Sequence, residues 1–482
     1  MLLRQSALYI LARLLSGLVG MAMTAVLTRL LEPASYGLYG LALLIMALGS
    51  MLLFDWMGVA LVRVYAGERR TEDTLRTFLQ LFLVLALVVV LGAAPIMRSL
   101  GIGWREALIG DALVIAYAAF ELSARLRVAR QQAGQYLLMT LARNVLIAGF
   151  ALPIAALTHD GLWTAAGMAL GIAIAASLAG SPVGFGRLTR IDRPLAGAIL
   201  AYGLPIAAAN ILGSLVNSGT RALVGGIGSA EELGFYTAGF ILIQNTLAMV
   251  GSGIESAAFP LAVAAVERGD EAAARSQLVR NSALLLAVLA PAALGMGLTA
   301  GGIAHSLVGA RFEPSVAALV PWLCAGALLG NLRANYLDHA FQLGRKPHLQ
   351  VWVTAVSGAV AMALAAWLIP IQGAVGAAMA VTAANAVGCL HAWLAGRRAF
   401  HLPVPVGQAV RIAIACAAMA LVVRLLPGRE IGQFVAQIVL GAAAYGTTAF
   451  ALDVLGARHR AFAWLALRLH TGRGGSLGRD RA

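Results

Sequence analysis

The chain has 482 residues, of which 60% are hydrophobic and only 12% are charged. A soluble protein usually carries about 25% charged residues, so this composition excludes an ordinary soluble fold and predicts an integral membrane protein. The net charge of +14 comes almost wholly from arginines that fall between apolar runs, which indicates membrane topology rather than a nucleic-acid partner. The three cysteines lie within apolar runs and show neither paired nor metal-ligand spacing.

Fourteen apolar segments follow one another along the chain, and the first is too long for a signal peptide. Their predicted bounds are 7–28, 38–62, 77–97, 106–128, 136–157, 161–182, 197–225, 233–262, 279–303, 315–341, 348–369, 373–395, 406–426 and 433–456. The runs are continuous, which favours helices over the alternating strands of a membrane barrel. With the N-terminus placed in the cytoplasm, most arginines fall in inside loops and both termini are cytoplasmic. Two charged inside segments, 64–77 and 266–277, are predicted to be interfacial helices, and 457–482 a basic cytoplasmic tail.

An internal repeat divides most of the chain into two halves. Gly37 and Tyr39 open the second span, and they match Gly234 and Tyr236, which lie 197 residues later and open the eighth. Two further matches follow in the same order, namely 131–134 with 342–344 and 159–161 with 371–373. Six spans per unit give both halves one orientation, so the pseudo-two-fold axis runs along the membrane normal. We therefore predict an all-α fold of two six-helix bundles, 1–195 and 196–400, and two additional helices over 401–456.

The sequence around the first loop resembles a known family. Residues 12–17, Ala-Arg-Leu-Leu-Ser-Gly, and 27–39, Leu-Thr-Arg-Leu-Leu-Glu-Pro-Ala-Ser-Tyr-Gly-Leu-Tyr, are similar to the polysaccharide-transporter (oligosaccharide flippase) branch of the multidrug/oligosaccharidyl-lipid/polysaccharide exporter superfamily. The resemblance implies a V-shaped pair of bundles in the bacterial cytoplasmic membrane. It also implies movement of undecaprenyl-pyrophosphate-linked oligosaccharide, for O-antigen, capsule or exopolysaccharide, from the cytoplasmic to the periplasmic leaflet. The implied partners are this lipid-linked oligosaccharide, membrane lipid, and a polysaccharide polymerase with its export machinery; nucleic acid is not among them.

Arginines within the spans are candidates for binding a substrate, because a charge at the centre of a membrane helix costs about 2.5–3.5 kcal/mol on insertion scales. A guanidinium group stays charged and binds phosphate oxygens through paired hydrogen bonds, so it suits a pyrophosphate. Arg13 and Arg221, on the equivalent first and seventh spans, are the first candidates for a cationic cavity lining, followed by Arg143 and Arg333. A structural salt bridge or a side chain reaching the membrane surface is the alternative for each.

Carboxylates within the spans are candidates for coupling to a proton or sodium gradient. Asp55 and Glu255 lie late in the equivalent second and eighth spans, and Asp111 lies in the fourth. The alternative for each is a counter-ion for a nearby arginine. No cofactor is expected, and no metal site is predicted by the histidines that stand singly in the apolar runs: His305, His339 and His391.

Other functions stay open. Within the same superfamily, the alternatives are an ion-coupled multidrug antiporter, a class that usually has twelve spans, and a peptidoglycan-precursor flippase. A membrane enzyme such as a glycan polymerase or an acyltransferase generally has a large outside loop or a catalytic His/Asp pair at a membrane face, and neither is evident here. We therefore expect a transporter and no enzyme, and the sequence does not identify the glycan or the coupling ion.

Overall fold

A computed structural model describes residues 2–67, 71–99, 101–179, 192–426, 428 and 430–459, so most of the predicted tail lies outside the described residues. The described part is all-α, with thirteen helices that are long and apolar enough to cross a membrane. One of them, Pro347–Gly396, has 50 residues and would be about 75 Å long if it were straight. Gly373, with φ 55° and ψ −135°, breaks this helix into two spans. The prediction of fourteen transmembrane helices is therefore confirmed.

The first half contains six spans. They are α1 (Leu2–Leu30), α2 (Pro33–Leu53, continued after Phe54 by Asp55–Gly67), α3 (Thr71–Val88, continued through a π-helical turn at Val89–Ala93 to Ala94–Ser99), α4 (Trp104–Ala129), α5 (Ala133–Thr158) and α6 (Gly161–Leu178). Within this half, α1 packs on α5, α2 packs on α4, and α6 packs on both α4 and α5.

The second half begins with α7 and repeats the packing of the first. Its spans are α7 (Arg193–Ser214, a π-helical turn at Leu215–Gly219, and Thr220–Ile227), α8 (Ala230–Glu267), α9 (Glu271–Leu298 and Ala300–Leu307), α10 (Glu313–Leu332, a π-helical turn at Arg333–Leu337, and His339–Leu343), α11 (347–372) and α12 (373–396). Here α7 packs on α11, α8 on α10 and α10 on α12. These pairs correspond to α1 with α5, α2 with α4 and α4 with α6, so the predicted six-plus-six repeat is confirmed.

Two further spans follow the second bundle. They are α13 (Val406–Leu425) and α14 (Ile431–Ala451). The two helices pack on each other, and α13 also packs along α9. The chain passes from the first bundle to the second at 180–191, outside the described residues, so the division near residue 195 stays a prediction.

The repeat glycines lie where the two halves meet, between α2 and α8. A Cβ atom on Gly37 would lie 1.7 Å from the carbonyl oxygen of Ala230, and one on Gly234 would lie 2.2 Å from that of Pro33. Because Pro33 and Ala230 are also 197 residues apart, the contact is reciprocal, and the pseudo-two-fold axis passes through it. The backbones approach too closely for any side chain, so only glycine fits either position.

The third sequence match also corresponds to a shared contact. The Ser35 hydroxyl accepts a hydrogen bond at 2.7 Å from the N–H of Gly161, which begins α6. Glu232, 197 residues after Ser35, accepts a hydrogen bond from the N–H of Ala374, at the start of α12. Equivalent positions of α2 and α8 therefore fix the start of the last helix in each bundle.

The two predicted interfacial helices are wrong. The second part of α2 continues as a helix to Gly67, and α8 continues to Glu267, while the next helices begin at Thr71 and Glu271. The charged residues therefore extend the membrane helices beyond their apolar parts and do not form separate surface elements. The sequence pattern misled because a charged helix end and a charged surface helix have the same composition.

Candidate functional site: charged clusters within the two bundles

The charge distribution of the loops defines the two ends of the molecule. We call the end that carries the α1–α2 and α7–α8 turns the outer end, and the opposite one the inner end. The inner half of each bundle contains a cluster of charged side chains, and the two clusters lie on equivalent helices, which are α2, α4 and α5 in the first bundle and α8, α10 and α11 in the second.

The first cluster contains two arginines and two carboxylates. Glu121 of α4 lies 3.9 Å from the Arg143 guanidinium of α5 and 3.8 Å from that of Arg125. The Arg143 guanidinium also stacks 4.6 Å from the centre of the Phe120 ring. Asp55 of α2 shares with Glu121 a cavity of about 20 Å³, which is room for one water molecule. The structure thus brings together two predicted residues, Arg143 and Asp55.

A polar chain links this cluster to the first helix. Arg143 donates a hydrogen bond at 3.3 Å to the side chain of Asn144, which donates one at 2.9 Å to the hydroxyl of Ser16 on α1. Arg13 lies one turn earlier on α1, and its side chain is exposed. The three helices α1, α4 and α5 are therefore held together by polar groups at the depth where a charge is costly.

The second cluster contains Arg333, Asp338, Glu255 and His339. The Arg333 guanidinium lies 3.9 Å from the Asp338 carboxylate and donates a hydrogen bond at 3.0 Å to Ser357 of α11. Beside this pair, the Nε2 atom of His339 lies 3.3 Å from a carboxylate oxygen of Glu255 on α8. Two predicted residues, Arg333 and Glu255, therefore belong to one cluster.

His339 was missed by sequence reasoning, which treated it as an isolated histidine. A signal was present, because Asn331, Asn335 and His339 recur every fourth residue along α10, on the face toward α8. The face of α8 that contacts α10 carries Gly251, whose missing Cβ leaves space for the amide side chains of Asn331 and Asn335. The sequence does not show that His339 contacts Glu255, because this contact depends on the register of α10 against α8.

Arg221 and Arg13 lie on equivalent helices at different depths. The position equivalent to Arg221 at the offset of 197 is Thr24, which lies eleven residues, or about 16 Å, farther along α1 than Arg13. Arg221 is buried at the outer end, with its guanidinium 5.1 Å from the Phe240 ring. Its Nε and Nη2 atoms have no hydrogen-bond partner within the part of the chain that the structure describes. The structure therefore does not bring these two arginines to one site.

Asp111, the third predicted coupling residue, stands apart from both clusters. It lies in the outer half of α4 and is buried, and neither carboxylate oxygen has a hydrogen-bond partner among the described residues. An isolated carboxylate in such a place is costly to ionise. Asp111 therefore belongs to neither charged cluster.

The halves are also joined by polar contacts at the outer end. Thr28 at the end of α1 accepts a hydrogen bond at 3.1 Å from the N–H of Gly309, in the α9–α10 turn. In the same region Arg29 donates one at 2.8 Å to the carbonyl of Ser306, and Arg311 pairs with Glu32. Together with the contact of α2 and α8 at their glycines, these bonds close the outer end.

The two C-terminal helices and the second bundle enclose an apolar cavity of about 560 Å³. It is lined mainly by α9, α13 and α14, with Met21 of α1 and Leu242 of α8 at its wall toward the core. Pro291 and Gly295 on α9 and Gly441 on α14 also line it. A cavity of this size falls within the range of small-molecule and lipid sites, about 300–1,000 Å³.

Comparison with known proteins agrees with this architecture. The model of the family described as polysaccharide biosynthesis protein matches residues 26–317. No protein of curated function matches the sequence. Among solved structures, the lipid II flippase MurJ in an inward closed conformation is similar with a TM-score of 0.76 and 11% identity, over 92% of this chain and 98% of that one.

More distant structures share the same fold. A multidrug resistance MATE family transporter in an inward-facing conformation has a TM-score of 0.56 and 16% identity, over 81% of this chain and 97% of that one. A MOP superfamily transporter from Pyrococcus furiosus has a TM-score of 0.51 and 14% identity, over 82% of this chain and 95% of that one. The chain is a multi-pass membrane protein that shares its fold with these structures, and it belongs to the polysaccharide biosynthesis protein family.

Proposed function

We propose that the protein is a flippase that moves an undecaprenyl-pyrophosphate-linked oligosaccharide from the cytoplasmic to the periplasmic leaflet of a bacterial inner membrane. The observation that carries this proposal is the presence of both charged clusters inside the two bundles and an apolar cavity of about 560 Å³ among α9, α13 and α14. A lipid-linked sugar requires both environments at once, because its phosphates need cations and its prenyl chain needs an apolar wall. Membership of a polysaccharide biosynthesis family supports the same substrate class.

The arginines provide the binding groups for the pyrophosphate. Arg143 and Arg333 lie in the inner halves of the two bundles, and Arg13 is exposed on α1 near the first cluster. Arg221 lies at the outer end and keeps two guanidinium nitrogens without partners in the described structure. We infer that the phosphates meet the inner arginines first and Arg221 when the outer end opens, because a guanidinium group binds phosphate through charge-assisted hydrogen bonds.

The reciprocal contact of α2 and α8 supports alternating access as the mechanism. Two like bundles around a pseudo-two-fold axis can rock against each other about a central site. The outer end is closed here by the glycine contact and by the polar bonds of Thr28, Arg29 and Glu32. Separating these groups would open the site to the periplasm while the inner ends of the bundles approach.

The expected cargo is a repeat unit of O-antigen, capsule or exopolysaccharide. A polysaccharide polymerase and its export machinery would then receive the product in the periplasm, and both termini would lie in the cytoplasm. The similarity in fold to the lipid II flippase MurJ favours a peptidoglycan precursor as the second candidate, which is also a polyprenyl-linked sugar. The arginines and the cavity suit both, so the identity of the glycan separates the two candidates.

Reconstituted vesicles test the proposal. Lipid-linked oligosaccharide extracted from the host is placed in both leaflets, and an external enzyme that cleaves the pyrophosphate consumes the molecules that reach the outside. We expect complete consumption with the protein and about half without it. A variant with Arg143→Met and Arg333→Met should flip slowly, and Arg424→Met, on an exposed end of α13, should flip normally. Equal consumption with and without protein would overturn the proposal.

A further inference from the structure

We propose that Glu255 and His339 form a proton-binding site through which a proton gradient acts on α8. This inference deepens the proposed transport function, but proton binding itself requires no substrate and can be measured without one. It assigns the coupling to one of the three carboxylates predicted from the sequence and to a histidine that the sequence did not single out.

The side chains of His339 and Glu255 are close enough to share a proton. The Nε2 atom of His339 lies 3.3 Å from Glu255, and the imidazole stacks on the Phe259 ring, with ring centres 3.9 Å apart. The Nδ1 atom is buried and has no hydrogen-bond partner among the described residues. Imidazole is the side chain whose ordinary titration falls between pH 5 and 8, and its partner here is a carboxylate.

The pair has one open side. The side chain of Glu255 is 31% exposed, whereas that of His339 is only 2% exposed. The proposal requires that water reach this open carboxylate, from which the proton passes to Nε2. Uptake of one proton converts a neutral imidazole and a carboxylate, with a net charge of −1, into an imidazolium–carboxylate pair with a net charge of zero. Because burial disfavours net charge, the protonated pair holds α8 against α10 and the deprotonated pair weakens that contact.

The equivalent cluster of the first bundle lacks this property. There, Glu121 is balanced by Arg125 and Arg143, and arginine does not lose its proton in proteins. The first cluster keeps its cations at every working pH, while the second replaces one of them with a histidine. We therefore assign the pair that shares a proton to the second bundle.

Other charged and titratable groups lie around the imidazole, and the nearest along the chain is Asp338, which is also buried. Arg333 and Asp338 on α10 pair with each other at 3.9 Å, and the Cys389 thiol on α12 donates to a carbonyl at 3.2 Å. From α9, Asn281 donates a hydrogen bond at 2.9 Å to the Ala258 carbonyl of α8. On α1, Arg13 lies one turn from Gly17, which packs against α8 at Met249.

A sodium site fits these groups less well. Sodium, a hard cation, requires several oxygen ligands, as calcium and magnesium do, and an imidazole facing the carboxylate provides a nitrogen instead. The position on α8 gives the proton a mechanical role, because the same helix carries Gly234, the contact point with the first bundle. Loosening α8 from α10 at its inner end therefore acts on the helix that closes the outer end.

Spin-label distances test the proposal in the full-length protein. Labels are attached at Ala34→Cys and Glu231→Cys, exposed positions at the outer ends of α2 and α8, after the three native cysteines are replaced by alanine. The protein is placed in lipid nanodiscs, and the distance distribution is recorded from pH 5.5 to 8.5. We expect a population with a longer distance to grow as the pH rises. His339→Gln and Glu255→Gln should abolish this dependence.

His305→Gln is the matched control. His305 also contacts a carboxylate, that of Glu313 at 3.1 Å, but this pair is exposed and lies at the end of α9. The control should keep the wild-type pH dependence, and exchange of sodium for potassium at constant pH should leave the populations unchanged. A pH-independent wild type, a pH response retained in Glu255→Gln or a folded His339→Gln, loss of the response in His305→Gln, or a sodium-dependent shift would each overturn the proposal.

If His339→Gln does not fold, the Glu255→Gln variant tests the proposal alone. The side chain of Glu255 is partly exposed, and glutamine is nearly isosteric with glutamate. Because no lipid-linked sugar is present, a failed flipping assay with a normal pH response would overturn the proposed transport function and leave the proton site standing.

Discussion

Gly37 and Gly234 touch each other on the pseudo-two-fold axis, where each takes up the space that a side chain on the other helix would need. A Cβ atom on Gly37 would lie 1.7 Å from the Ala230 carbonyl oxygen, and one on Gly234 would lie 2.2 Å from the Pro33 carbonyl oxygen. The outer end of the protein can therefore close only because both halves of the repeat keep a glycine at this position. This contact makes the outer closure testable by single substitutions.

We predict that Gly37→Ala opens the outer end. Overpacking of this kind costs about 1–3 kcal/mol in the closed arrangement, which shifts the equilibrium roughly 5- to 150-fold. The measurement is the labelling rate of Thr237→Cys, a buried position beside the contact, with a membrane-impermeant thiol reagent in a background without native cysteines. The rate should rise in Gly37→Ala.

Two controls accompany this prediction. Gly226→Ala at the outer end of α7 meets no atom within 4 Å, so it should label at the parent rate. Glu32→Gln breaks an exposed ion pair with Arg311, which is worth about 0–1 kcal/mol, and should change the rate little. A parent-like labelling rate in Gly37→Ala would mean that the glycine contact does not hold the outer end closed.

Arg221→Met should separate stability from transport. Arg221 is buried, and two of its nitrogens lack partners in the described structure, so an apolar side chain of similar length removes an unfavourable burial. We expect the melting temperature of the purified protein to stay equal or rise, and polysaccharide export to fall at equal protein level. Undiminished export would remove Arg221 from the proposed path of the phosphates.

Glu121 and Arg143 should be energetically coupled. Their side chains are 28% and 15% exposed and lie 3.9 Å apart, so loss of either leaves a charge in a poorly hydrated place. In a double-mutant cycle of Glu121→Gln and Arg143→Met, we predict a coupling of about 0.5–3 kcal/mol in the free energy of unfolding. Additive effects of the two substitutions would show that the two side chains do not interact energetically.

Gly373→Ala should destabilise the junction between α11 and α12. Gly373 has φ 55°, and a Cβ atom there would lie 2.5 Å from the Glu232 carboxylate. Strain and displacement of the helix cap together should cost about 1–3 kcal/mol. Thermal unfolding in detergent measures the loss, with Gly407→Ala, which meets no atom within 4 Å, as the control. Equal melting temperatures of the two variants would contradict this account of the break.

The number of spans and the internal repeat could be predicted from the sequence, because both depend on patterns that extend along the whole chain. Apolar run lengths predicted fourteen spans, and the break at Gly373 divides one long helix as the run lengths required. The match of Gly37 with Gly234 predicted the repeat, because a backbone contact on the symmetry axis constrains both halves in the same way. The fold class followed from these patterns, whereas the family resemblance depended on residues 12–17 and 27–39.

The site was less predictable because it depends on depth and register. Arg13 and Arg221 lie on equivalent helices, yet their depths differ by about 16 Å, which a comparison of whole spans does not reveal. His339 joined the site only through its position opposite Glu255 on a neighbouring helix. In both cases the missing information was the relative position of two helices, which packing determines and composition does not.

The most direct test of the proposed transport is to delete the gene in its host and to measure lipid-linked oligosaccharide in each leaflet together with the surface polysaccharide. We predict that surface polysaccharide is lost and that complete oligosaccharide accumulates on undecaprenyl pyrophosphate in the cytoplasmic leaflet. Restoration by the wild-type gene, and not by Arg143→Met with Arg333→Met, would connect the defect to the charged clusters. Normal surface polysaccharide with altered sensitivity to cationic drugs would contradict the account and indicate a multidrug antiporter.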